Sequence, residues 1–181
     1  MNIKVFGCPS VKRELYYLAS FCPNDLDIEI ISPDLTQQHL QQLIDSASAE
    51  RLILAFGQRR LEGLHSGDKS LIVPKAHDCA HLLLGSAERY RRIFSENDDQ
   101  PRWLNCGECR FGQAGGVPCI AASGLVPLNS AMPSGTKEYI ADLSLLKSLL
   151  ELDFDNNSLV IVPQNCRIIA DPVEIISFEP M

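Results

Sequence analysis

Five short apolar runs recur along the chain and are typical of buried β-strands. They cover residues 3–6, 27–31, 51–56, 70–74 and 158–163, and each ends at or just before a turn signal containing glycine or proline. Runs of this length, closed by turn-forming residues, predict strands that are covered on both faces.

Between the strands, apolar residues recur at helical spacing. One stripe is formed by Val11, Leu15, Leu18 and Ala19, with Ser10 as a possible cap. A second is formed by Leu35, Leu40, Leu43 and Ile44. Alternating strands and amphipathic helices predict an α/β fold with an open, mainly parallel sheet of about four or five strands and helices on both faces.

The chain has the size and composition of a single domain. It contains 181 residues, 45% of them hydrophobic and 22% charged. One irregular stretch, rich in glycine, proline and cysteine, interrupts the pattern at about residues 101–135. Within it, residues 106–135 are too many for an ordinary connection. We expect either a lid over a functional site or a small excursion with short elements of its own.

Charge and hydropathy exclude several classes of function. The net charge of −7 argues against a nucleic-acid partner, which usually needs a basic face. No apolar stretch approaches the roughly 20 residues that cross a bilayer, and the first apolar run is too short for a signal peptide. These features predict a cytoplasmic protein. The chain has seven cysteines, and an odd number in a cytoplasmic protein argues against a disulfide framework and favours metal binding or thiol chemistry.

Cysteines follow several of the predicted strands. Cys8 follows the first strand, Cys79 the fourth and Cys166 the fifth, while Gly57 and Gln58 follow the third. Ligands bind beyond the carboxyl ends of parallel strands, so these groups are expected to converge at one edge. Gly57 and Gln58 are candidates for contacting a small ligand there.

The sequence around Cys79 is compact. Asp78 is a candidate N-cap, and Cys79 would lie in the first turn of the following helix. There the helix dipole is expected to lower the thiol pKa and favour the thiolate. His77 is a candidate metal ligand, and His81 follows it at a spacing that can place both rings on one face. Alternatively, Cys79 is a small core residue and His77 a hydrogen-bonded loop residue.

Cys106 and Cys109 form a C-x-x-C pair. Such a pair can bind Zn²⁺, hold part of an iron–sulfur cluster or cycle as a dithiol. Other loop cysteines, Cys119 among them, could complete a four-ligand set. A thiolate-rich site of this kind selects soft metals over Mg²⁺ or Ca²⁺.

Gly85, Ser86 and Arg89 form another candidate ligand site. Ser86 and Arg89 could hold an anion at a helix N-terminus. The stronger interpretation is structural, with Gly85 ending one helix and Ser86 capping the next.

Two adjacent blocks, residues 72–79 and 82–90, resemble the signature of the family called domain of unknown function 1638. Cys8, the Glu-Gly-Leu segment at 62–64 and the closing run at 158–163 also fit that family. Its members are often seen with corrinoid-dependent methyl-transfer systems in anaerobes. The resemblance therefore implies a corrinoid protein or a methyltransferase as partner.

The chain also departs from this family. Many members carry a cysteine after the third strand, where this chain has Gly57. The family's aromatic-rich segment and Gly-Trp pair are replaced here by residues 101–105, directly before Cys106. The C-x-x-C pair would then take the place of the missing ligand, unless the chain has drifted to another role.

These observations lead to one hypothesis and two alternatives. The hypothesis is a metal-binding protein, holding zinc or an iron–sulfur cluster and serving methyl, one-carbon or thiol chemistry. Whether it catalyses a reaction is left open. The alternatives are a metal-free binding module for a small anionic ligand and a thiol-redox protein using Cys106 and Cys109. The proposed metal ligands are Cys8, His77, Cys79, Cys106 and Cys109.

Overall fold

The computed structural model of the chain describes residues 2–32, 34–96, 102–104, 119–123, 137–155, 157–169 and 177–181. The strands are β1 (Asn2–Gly7), β2 (Asp25–Ile30), β3 (Arg51–Ala55), β4 (Ser70–Pro74), β5 (Arg102–Leu104), β6 (Cys119–Ser123), β7 (Lys137–Ile140), β8 (Leu159–Val162), β9 (Cys166–Ile169) and β10 (Ser177–Pro180). The α-helices are α1 (Lys12–Ala19), α2 (Gln37–Ser46), α3 (Cys79–Leu84), α4 (Ala87–Ser95) and α5 (Ser144–Glu151). Short 3₁₀ turns cover Pro9–Val11 and Gln58–Arg60.

The main sheet has five strands in the order β2-β1-β3-β4-β8. The first four are parallel and β8 runs antiparallel to β4. Leu52, Ile53 and Leu54 in the central strand β3 are fully buried, as expected of a strand covered on both faces. The sequence prediction of an open, mainly parallel α/β sheet is confirmed.

The chain reverses its direction of travel across the sheet at β1. The connection through α1 leads from β1 to its neighbour β2, and the connection through α2 returns past β1 to β3. Because parallel crossovers are right-handed, this reversal places α1 and α2 on opposite faces. The carboxyl ends of β1 and β3 thus form a topological switch point, where open α/β sheets bind ligands.

The reversed direction of β8 corrects one prediction. The residues after β8 lie at the opposite edge of the sheet from those that follow β1, β3 and β4. The N–H of Asn165 bonds to the carbonyl of Gly67, which lies just before β4. Cys166 therefore does not converge with Cys8 and Cys79, and the expectation that it would was wrong.

Two smaller sheets accompany the main one. β5, β6 and β7 form a parallel three-stranded sheet, and β9 pairs with β10 antiparallel. The irregular stretch therefore contains short strands of its own, and Cys119 begins β6. Cys106, Cys109 and most of the expected lid lie outside the described residues.

The helix caps follow the sequence at most positions. Thr36, Asp78 and Ser86 each accept a backbone N–H from the third residue after them. Ser10 does not cap α1, because the 3₁₀ turn places Val11 at that position. Within the part of the chain described above, no helix has the length and apolar character needed to cross a membrane.

Glu14 is a buried carboxyl in the first turn of α1, and only 4% of it is exposed. Burial raises its pKa, although its own backbone N–H and the charge of Arg13 oppose the rise. The folded state therefore disfavours the charged carboxylate. This penalty is absent at acidic pH and appears as the pH rises through the folded-state pKa.

Glu14→Gln is expected to raise the free energy of unfolding at pH 8, on the scale of about 0.5–2 kcal/mol usual for a stabilising substitution. The gain should disappear toward pH 3, and urea unfolding at several pH values measures it. Glu88→Gln, in the first turn of α4, is the matched control. This control should slightly destabilise the protein, because a negatively charged side chain in the first turn interacts favourably with the helix dipole. If Glu14→Gln changed the free energy of unfolding equally at pH 8 and pH 3, Glu14 would not be the carboxyl with the raised pKa.

Candidate functional site at the carboxyl edge of the sheet

Cys8 lies directly after β1, at the switch point of the sheet. Its residue is 4% exposed, and its N–H bonds to the carbonyl of Ala55 at the end of β3, at 3.4 Å. The thiol is 3.3 Å from the hydroxyl of Ser10, to which it donates. The sulfur is thus fixed between the ends of two neighbouring parallel strands.

Cys79 reaches the same place from β4, as the first residue of α3. Gly57, at the end of β3, lies so close to Asp78 that a Cβ there would stand 2.2 Å from the Asp78 Cα. The missing side chain lets the start of α3 rest against the end of β3. As a result, the thiol of Cys79 lies against that of Cys8, at the edge where the order of the strands predicted the two cysteines.

The electrostatics of this thiol pair differ from the prediction. Hydrogen bonding to Cys8 and burial raise the pKa of the Cys79 thiol well above its usual range, while the backbone N–H of Gly57 opposes the rise. The predicted lowering by the helix dipole was wrong. α3 has only six residues, and the neighbouring sulfur makes a second negative charge unfavourable. Both cysteines are free thiols.

A buried aromatic cluster begins two residues before Cys79. The N–H of His77 donates to Nδ1 of His81 at 3.2 Å, so neutral His81 carries its proton on Nε2. Burial, together with His77 and Arg91, lowers the pKa of His81 to about 4. Tyr90 stacks on both rings, with centroid distances of 5.8 Å to His77 and 4.8 Å to His81.

Asp78 ties this cluster to the helix that carries Cys79. Its Oδ1 accepts the N–H of His81 at 2.9 Å, and its Oδ2 accepts the hydroxyl of Tyr90 at 2.7 Å. Both carboxylate oxygens therefore hold the start of α3 in place. Asp78 consequently positions Cys79 through the backbone.

The described residues assemble part of the predicted ligand set. Cys8 and Cys79 are brought together, whereas the ring of His77 packs against Tyr90. Among the residues with described side chains, no group of three or more His, Cys, Asp or Glu is placed to hold a metal ion. Cys106 and Cys109 lie outside the described ranges.

The other predicted ligand residues have structural contacts. Gly85 ends α3 with φ +77°, and Ser86 caps α4. The Arg89 guanidinium donates to the carbonyls of Leu84 and Ile140. Gln58 is buried, and its N–H donates to the carbonyl of Ala76 at 2.7 Å.

Sequence reasoning overlooked a cavity beside the switch point. It has a volume of about 420 Å³ and lies between the segment after β2 and the segment after β3. The sequence does contain a signal for this cavity, because two of its lining residues are consecutive arginines that follow the third strand. The lining residues are Leu35, Gln37, Leu40, Arg59, Arg60, Glu62 and Gly63.

Comparison with known proteins reveals a resemblance to one family and indicates no activity. No curated protein and no solved structure shows significant similarity to the chain. Residues 31–106 match the model of the family described as "Protein of unknown function (DUF1638)". The matched segment includes Gly57, His77 and Cys79, while Cys8 precedes it. The chain thus resembles the DUF1638 family across the region that forms the carboxyl edge around Cys79.

Proposed function

We propose that the chain binds a soft metal ion or an iron–sulfur cluster through Cys8 and Cys79. The observation that carries the proposal is the contact between their thiols at the switch point of the sheet. The two cysteines are 71 positions apart in sequence, since 79 − 8 = 71. Two sulfurs drawn from separate loops to one point form the nucleus of a thiolate site.

The raised pKa of the Cys79 thiol argues against thiol–disulfide exchange at this cysteine. Exchange requires a thiolate, and reactive cysteines usually have lowered pKa values. Without a cation, the sulfur of Cys79 retains its proton near neutral pH. A bound metal supplies the missing positive charge and deprotonates coordinating thiols outright.

Two more ligands are needed for a four-coordinate site. We assign this role to Cys106 and Cys109, whose C-x-x-C spacing is typical of zinc and iron–sulfur ligands. His77 is the alternative ligand. It ranks after the two cysteines, because its ring packs on Tyr90 and would have to leave that contact to bind the metal.

The resemblance to DUF1638 directs the proposal toward methyl or one-carbon transfer. The partner would be a corrinoid protein or a methyltransferase, with this chain acting beside it or catalysing a step at the metal. For a step at the metal, a substrate thiol would have to take the place of one of the four cysteine ligands. A thiol that binds there would be deprotonated and become a nucleophile.

Metal analysis of untagged, anaerobically purified protein tests this proposal. We expect about one equivalent of zinc or a cluster, released by a chelator and restored by adding metal. Cobalt substitution should give thiolate-to-metal charge-transfer absorption. A chain that neither retains metal nor takes up Zn²⁺ or Co²⁺ after reduction would contradict the proposal.

A double variant, Cys106→Ser with Cys109→Ser, tests the assigned ligands. It should lose the metal, whereas Cys22→Ser should retain it. Cys22 is a matched control because it is half-buried and its thiol donates to the carbonyl of Leu150. Full retention in the double variant would contradict the four-cysteine set.

A further inference from the structure

We propose that the cavity beside the switch point is a binding site for a small organic anion, and that Arg59 is its charged contact. The ligand class is a small molecule carrying a carboxylate or phosphate group. This inference goes beyond the metal site, since it uses other residues and requires no metal. It rests on the construction of the cavity and on the charges that line it.

The cavity is built by contacts that join two loops. The side-chain amide of Gln37, the first residue of α2, donates to the carbonyl of Glu62. Gly63, with φ +77°, permits this close approach, because a Cβ there would stand 2.7 Å from Nε2 of Gln37. The walls therefore exist before any ligand binds, which lowers the entropic cost of binding.

Arg60 belongs to these walls. Its guanidinium donates to the carbonyls of Ser32 at 3.1 Å and Leu35 at 3.3 Å, and it lies over the ring of Phe56 at 5.2 Å. Through these hydrogen bonds, the guanidinium N–H groups of Arg60 connect the loop after β3 with the segment after β2. Arg60 thus fixes the shape of the cavity and adds positive charge.

Arg59 is the charged group that the fold leaves available. It is exposed, and it forms no hydrogen bond or ion pair with any of the described residues. Its planar guanidinium presents paired donors that match a carboxylate or a phosphate. Among the described lining residues, Glu62 is the one acidic side chain, so two arginines and one glutamate give these residues a net positive charge.

Two other cavities carry no net positive charge on their described lining residues. At the amino edge of the sheet, Arg51 and Lys69 line a cavity together with Glu50 and Asp68. In the cavity beside β1 and β2, Lys4 pairs with Asp27 at 2.9 Å and Glu29 at 2.8 Å.

The location and size also fit a ligand site. Ligands of open α/β sheets bind outside the carboxyl ends of the strands at the switch point, where this cavity lies. Its volume of about 420 Å³ is within the range of small-molecule sites. The start of α2 contributes to the lining, and the free N–H groups of a helix start favour anions.

Titration of the metal-free, full-length protein, followed by amide NMR, tests the site. The probes are inorganic phosphate and, separately, acetate, at constant ionic strength. We expect saturable shifts at residues 35–38 and 57–63 with at least one probe. Arg59→Gln should weaken that binding about tenfold. Arg51→Gln carries the same charge change at the opposite end of β3 and should bind as the wild type does.

Glu62→Gln provides a test that a folding defect cannot imitate. Removing the competing carboxylate should strengthen binding about two- to fivefold. Shifts that never saturate, that persist at equal affinity in Arg59→Gln, or that concentrate at residues 47–51 would each overturn the proposal. Failure of the metal assay would leave this result unaffected, because the titration is done without metal.

Discussion

Cys79→Ser is expected to abolish metal retention while leaving the metal-free fold nearly as stable as the wild type. Loss of one thiolate from a four-ligand site should lower the metal affinity by about two orders of magnitude or more. A serine hydroxyl does not ionise near neutral pH, so it cannot replace the sulfur as an anionic ligand. Metal content after anaerobic purification and competition with a chelator measure the loss.

The stability of the metal-free variant separates a ligand from a core thiol. Cys79 is half-buried, and the backbone N–H of Gly57 faces its sulfur. A serine hydroxyl can accept that N–H, so the free energy of unfolding should change by less than about 1 kcal/mol. A hydroxyl placed in apolar core surroundings would instead cost roughly 1–3 kcal/mol.

Cys166→Ser is the matched control for this experiment. Cys166 is also a half-buried free thiol, but it lies at the opposite edge of the sheet because β8 is antiparallel. The control should retain its metal. Loss of stability in Cys79→Ser, with no metal in the wild type to lose, would make Cys79 a structural residue.

The sequence predicted the main sheet because its strands carry strong local signals. Residues 51–56 are almost wholly apolar and end at Gly57, and β3 occupies nearly the same positions, Arg51–Ala55. Strand direction leaves no such signal. The apolar run 159–162 has the same pattern in a parallel and an antiparallel strand, so the reversal of β8 could be read only from its pairing with β4.

The thiol pair was predictable from topology, and its chemistry was not. Strand order alone placed Cys8 and Cys79 at one edge, since both follow parallel strands of the sheet. The pKa of Cys79 depends on whether another sulfur lies within hydrogen-bond distance. That distance is set by the close approach at Gly57, for which glycine at a strand end is only a weak sequence signal.

Arg59 illustrates a different limit of sequence reasoning. Two arginines after a strand suggest a charged loop, but the pattern does not say which one the fold uses. The guanidinium of Arg60 donates to two backbone carbonyls, whereas the side chain of Arg59 has no hydrogen-bond or ion-pair partner among the described residues. Only the packing of α2 against this loop distinguishes the two residues.

Gly57→Ala is expected to cost roughly 3 kcal/mol or more of unfolding free energy, which is a large effect for one methyl group. The new Cβ would lie 2.2, 2.7 and 2.8 Å from the Cα, C and N atoms of Asp78. All three atoms belong to the backbone, so no side-chain rotation can relieve the overlap. The φ of Gly57 is −71°, so the cost is steric and does not come from a left-handed conformation.

Gly67→Ala separates this steric effect from the ordinary cost of replacing a glycine. Gly67 has φ +55° and open space around the position of a Cβ, so only backbone strain of about 1 kcal/mol is expected. Urea unfolding of the metal-free proteins under reducing conditions compares the two variants. A cost at Gly57 no greater than that at Gly67 would show that the start of α3 can move away freely.

The same overlap determines what a cysteine at this position can do. Gly57→Cys would place a thiol directly after the third strand, but its Cβ would meet the same backbone atoms of Asp78. The start of α3 would have to shift, and Cys79 would shift with it relative to Cys8. We therefore expect Gly57→Cys to weaken metal retention, although it adds a thiol. Metal content equal to or above that of the wild type would show that the site accepts a third local sulfur.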